Sequence, residues 1–131
     1  MLGIDTNVLV RFLVRDDEIQ FQKASHLIKR EVAQGRYVFV CQLVLLETEW
    51  VLRSRYRVPK HVIIETVSSL LDSTDVRFEN ESTIEVALFL WKETTADFAD
   101  CLIGANNRQL GCEATATFDV KASKLSGFIA V

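Results

Sequence analysis

Apolar residues in this chain fall into two rhythms, and the switches between them mark out the elements. Short runs rich in apolar residues recur at Leu2-Gly3-Ile4, Tyr37-Val38-Phe39-Val40-Cys41, Val76-Arg77-Phe78 and from Ala114 to Phe118. Each is short, and Tyr37 to Cys41 in particular is β-branched and aromatic, which predicts strands, the first over 2–5. Phe128-Ile129-Ala130-Val131 has the composition of a fifth. Between these runs the apolar residues return every three or four positions, the spacing of one helical face. Helices are therefore expected over 7–14, 17–34, from 43 to about 55, from 59 to about 71, 82–93 and 98–110. Gly35 and Gly111 stand as C-terminal stops, and Pro59 opens a helix. This β-α-β order predicts an α/β fold, a three-layer α/β/α sandwich around a mostly parallel central sheet of four or five strands. With no linker, repeat or low-complexity tract, residues 1–131 are expected to form one domain.

In such sheets ligands gather at the carboxyl ends of the strands, so acids at those ends draw notice. Asp5 ends the first strand and Asp119 ends the fourth. Either could instead be an ordinary N-cap or turn residue. On a helix from Leu43, positions 43, 46, 47, 50 and 51 share a face, which sets Glu47 within an apolar stripe and predicts its burial. Glu49 points elsewhere, four residues before Arg53, and is expected to form a surface ion pair. In ADFADCLIGA, Asp97 suits the N-cap of the last long helix and Asp100, leading into Cys101-Leu102-Ile103, suits chemistry.

Composition narrows the chemistry. A net charge of −3 argues against a protein that holds nucleic acid by a global basic field, but permits metal ions to neutralise phosphates locally. Three widely spaced cysteines (Cys41, Cys101, Cys112) in apolar surroundings read as reduced core residues of a cytoplasmic protein. No segment has the length of a membrane span, and Asp5 and Arg11 interrupt any leader-like run. If Asp5, Glu47, Asp100 and Asp119 share one crevice, they cannot all stay ionised unaided. A divalent cation resolves that conflict, and oxygen-only ligands favour Mg²⁺ or Mn²⁺ over zinc. The two histidines, His26 and His61, form no ligand pair. Thr6 and Asn7 are expected to support the turn after Asp5. The densest basic stretch, Arg53, Arg55, Arg57, Lys60 and His61 with Tyr56 among them, could supply the phosphate affinity that carboxylates lack or simply be a solvated helix end.

Taken in order and spacing, IDTNVLVRFL, LLETEWVL, DFADCLIGA and TATFD resemble the PIN-domain ribonucleases, and among them the VapC-type toxins of toxin–antitoxin pairs. The resemblance covers essentially the whole chain. It implies Asp5, Glu47, Asp100 and Asp119 as an acidic metal site, with Thr6, Asn7 and Thr117 beside it. It further implies endonucleolytic hydrolysis of a structured RNA, a small cognate antitoxin as inhibitor and a homodimer. The apolar surplus at Val62, Ile63, Ile64, Val67, Leu70 and Leu71 lends the dimer some support. Two other readings compete. An aspartyl-phosphate phosphatase also begins with an Asp after its first strand, but wants D-x-D where this chain has Asn7. A non-catalytic module with the same fold would bind RNA or protein and cut nothing.

Overall fold

The computed structural model describes residues 1–131, which divide into two compact units, Met1–Glu79 and Asn80–Val131. The first unit runs β1 (Leu2–Gly3), α1 (Thr6–Leu13), α2 (Glu18–Ala33), β2 (Val38–Val40), α3 (Gln42–Ser54), α4 (Lys60–Asp72) and β3 (Val76–Phe78). Its three strands are parallel in the order β1-β2-β3, with Leu2 opposite Val38 and Val38 opposite Val76. Parallel neighbours need a crossover, and the helix pairs α1–α2 and α3–α4 supply it. Val38 and Val40 of the central strand are wholly buried, as is expected of a parallel strand covered by helices. Leu9 and Val10, Ala24 and Ile28, Leu45 and Leu52, and Ile63 and Val67 bury the inward faces of α1 to α4.

The second unit holds α5 (Glu81–Glu93), α6 (Phe98–Gln109), β4 (Thr115–Thr117), a single 3₁₀ turn (Ala122–Lys124) and β5 (Phe128–Ala130). The two helices pack through Ile84, Ala87, Leu88, Trp91, Phe98, Cys101, Leu102 and Ala105. At one end the Trp91 and Phe98 rings meet with centroids 5.2 Å apart, tilted by 51°. At the other, the side-chain amides of Asn80 and Gln109 bond each other in both directions, at 2.6 and 2.9 Å. Asn80 sits at φ 58°, a left-handed position that Asn tolerates better than most residues.

The predicted elements are all present, within a residue or two at most ends. Both glycine stops are confirmed in detail. Gly35 and Gly111 have positive φ, and the amides around them close Schellman caps: Arg36 to Glu31 and Gly35 to Val32 on α2, Cys112 to Asn107 and Gly111 to Arg108 on α6. All five strands pair in parallel, as expected. They do so as a three-stranded set and a separate pair, β4 with β5, rather than as one ladder. Two expectations about burial need correction. Cys101 is buried, but Cys41 is half-buried and Cys112 is exposed, because Cys112 belongs to the cap after α6 and not to its packed face. On α4, Ile63 and Val67 are buried while Val62, Ile64, Leu70 and Leu71 are half-buried, so its second apolar face is partly covered within the chain.

Candidate metal centre

Asp5 follows Ile4, whose amide continues the ladder to Phe39 O at 3.0 Å, so its carboxylate stands at the carboxyl edge of the sheet. It is also the N-cap of α1: Oδ1 accepts the Val8 amide at 3.0 Å. The two roles are compatible, since a carboxylate offers about four lone-pair sites and the cap uses one. Thr6 is buried in the first turn and Asn7 is exposed beside it. Asn7 lines a cavity of about 390 Å³ together with Asp5, Val8 and Arg11.

Asp119 repeats this arrangement in the second unit. Its Oδ1 accepts the Ala122 amide at 2.8 Å, and its own amide donates to Thr117 Oγ1 at 2.9 Å. Thr117 thus fixes the turn that presents Asp119. Asp97 occupies the N-cap position of α6, yet its side chain makes no capping hydrogen bond. The capping bond expected of Asp97 is not made, whereas the two strand-end acids each accept an amide hydrogen bond. Asp100, half-buried in the first turn of α6, has its pKa raised by burial first and then by the facing charges of Asp119 and Asp97. Asp100 thus lies within electrostatic reach of two other carboxylates of its unit. An all-oxygen donor set under like-charge strain fits a hard divalent cation such as Mg²⁺ or Mn²⁺. No three His, Cys, Asp or Glu side chains are already drawn together as a finished metal cage.

Glu47 requires a correction. It is exposed, and so are Leu43 and Trp50 on either side of it, at 79% and 58%. The buried face of α3 is Leu45, Thr48, Glu49 and Leu52. Both faces carry apolar residues and one acid, so periodicity alone could not separate them. The choice is settled by Arg53, whose Nε lies 2.8 Å from Glu49 Oε2 and permits that carboxylate to be buried at 4% exposure. The expected ion pair exists, but its acid is a core residue. Thr48 beside it buries a hydroxyl oxygen with no hydrogen-bond partner.

The basic stretch is partly committed within the chain. Arg53 serves Glu49, and the Tyr56 hydroxyl donates to Asp16 at 2.9 Å while accepting from Arg11 at 3.1 Å. Arg55 and Arg57 are exposed, and Lys60 is half-buried at the start of α4. Periodicity missed Glu79, an acid at the carboxyl end of β3 whose Oε1 accepts the Gln42 amide at 2.9 Å and so caps α3 from a neighbouring strand. The signal was available, since an acid directly follows Val76-Arg77-Phe78 as Asp5 follows Leu2-Gly3-Ile4.

No helix is long and apolar enough to cross a membrane. The VapC ribonuclease of Aquifex aeolicus (strain VF5) is 26% identical over 122 residues, covering 93% of this chain and 90% of that protein. The PIN domain model matches residues 3–127, a span that includes every acid discussed above. With the parallel strands and the strand-end acids, that match shows that the chain belongs to the PIN domain family.

Proposed function

We propose that this protein is a metal-dependent endoribonuclease, the toxin of a type II toxin–antitoxin pair, in which Asp5, Glu47, Asp100 and Asp119 hold Mg²⁺ or Mn²⁺. The observation that carries the proposal is the crowding at Asp100, a carboxylate burdened by burial and by two like charges, in a chain similar throughout to a VapC ribonuclease. Such strain has little structural use and is relieved by a cation. A divalent ion held by these carboxylates supplies the missing counter-charge and the acidified water that phosphodiester hydrolysis needs. The chain's own groups prepare the place. Thr117 sets the Asp119 turn, Asp5 fixes the first turn of α1 while keeping acceptor capacity, and Asp97 adds a carboxylate unspent on capping. Exposure of Glu47 leaves it available to a ligand from solvent.

The proposal extends to partners. A cognate antitoxin would place an Arg or Lys on these carboxylates, since a guanidinium matches them in charge and geometry. A homodimer in the cytoplasm completes the reading, with light scattering as the check on mass. The decisive experiment is cleavage of a structured RNA by pure protein. Cutting should need Mg²⁺ or Mn²⁺, stop in EDTA and resume when metal is restored. Undiminished cutting in excess chelator would overturn the metal assignment, and no cutting under any metal would favour a non-catalytic binding module.

A further inference from the structure

Two cavities of the first unit, of about 390 and 420 Å³, share Lys23 and Leu27 in their walls. They follow one face of α2: Gln20, Lys23 and Ala24 line the first, His26 and Arg30 the second. Asp5 lies at one end and is the sole acid lining either cavity. The acids at the start of α2 are already engaged. Asp16 is bound by Arg11 and Tyr56, Asp17 caps the Gln20 amide, and Glu18 is held by Arg15 at 2.7 Å. Lys23 and Arg30 are exposed and take part in no hydrogen bond or ion pair within the chain. Seven residues apart, they stand two turns apart on one helix, about 10 Å along its axis at about 1.5 Å per residue.

From this geometry we infer that the groove along α2 carries the RNA strand away from Asp5, with Lys23 and Arg30 as its phosphate-binding cations. The inference rests on the nuclease function proposed above and gives it a substrate path. Cations flanking an apolar floor are the make-up of grooves that track a single nucleic-acid strand. Here buried Ala24 and half-buried Leu27 form the floor, and the amides of Asn7 and Gln20 offer hydrogen bonds to a base or ribose. The stretch 53–60 is less suited, because its first cation already neutralises a buried carboxylate.

The test uses the full chain carrying Asp100→Asn, so that RNA is bound without being cut, and a short fluorescein-labelled oligoribonucleotide read by anisotropy at several salt concentrations. Lys23→Gln and Arg30→Gln should each lower the slope of log affinity against log salt by about 0.7, and together by about 1.4. Lys29→Gln, exposed on the same helix but outside both cavities, should leave it unchanged. In the cutting enzyme the same two substitutions should raise KM severalfold with kcat retained. Unchanged slope and KM in the double variant would overturn the groove assignment while leaving the nuclease function standing. So would loss of binding to a co-expressed small protein partner with RNA binding intact, since the face would then belong to that partner. A protein that binds RNA through Lys23 and Arg30 but cuts none would uphold the groove and overturn the nuclease proposal.

Discussion

Individual side chains show where the fold is strained and where it is not. Thr48 is 2% exposed and its hydroxyl has no partner. An unpaired buried hydroxyl costs about 1–3 kcal/mol, and replacing it by an apolar group of the same shape recovers part of that. Thr48→Val is therefore expected to raise the melting temperature by a few degrees in a scanning calorimeter. A lower melting temperature would mean that the hydroxyl has a partner after all. Asp100 is strained differently. Its folded pKa lies above the usual 3.8, so between those two values the folded state binds more protons than the unfolded one. Stability must then fall as pH rises through that window, the reverse of a salt-bridged acid. Asp100→Asn should abolish this slope and stabilise the metal-free protein at neutral pH while removing RNA cleavage. Neutral-pH destabilisation by Asp100→Asn would contradict the crowding on which the metal centre rests.

Among the elements, caps and contacts decide what a substitution does. Asp5 caps α1 through a 3.0 Å bond, whereas Asp97 occupies a cap position without making the bond. Asp5→Ala should thus cost about 0.5–2 kcal/mol in denaturant unfolding and Asp97→Ala much less. Equal losses would show that Asp97 caps in solution. Gly104 provides a second test. Ala is favoured over Gly within a helix by about 1 kcal/mol, yet a Cβ at 104 would lie 2.8 Å from Phe128 Cζ and closer still to Cε1. Overpacking of about 1–3 kcal/mol outweighs the helical gain. Gly104→Ala should lower the melting temperature, and adding Phe128→Leu should restore it. At this scale the sequence was most informative. The glycine stops, the Pro59 start and the order of elements follow from local chemistry, and local chemistry was visible. The buried face of α3 was not, because it depends on Arg53 covering Glu49. Nor was the division of capping among Asp5, Asp97 and Asp119, since every one of them stands at a helix start or a turn.

Over the whole molecule, the pairing of strands was the least legible feature. Three-residue strands such as Thr115–Thr117 and Phe128–Ala130 carry too little pattern to name their neighbours, which are set by packing between distant segments. The candidate site fared better, since acids placed at strand ends by hydrophobic rhythm are found there, Asp5 after β1 and Asp119 after β4. Its metal is the central claim, because Asp100 and Asp119, whose charges crowd each other at Asp100, are proposed with Asp5 and Glu47 to hold the ion that cuts RNA. Calorimetric titration of Mn²⁺ into the wild-type protein and into Asp5→Asn, Glu47→Gln, Asp100→Asn and Asp119→Asn tests it most directly. The account predicts measurable binding by the wild type, weakened or lost in each of the four variants, with RNA cleavage falling in parallel. Mn²⁺ bound equally by the wild type and all four variants, or RNA cut at full rate by a variant that binds none, would contradict it.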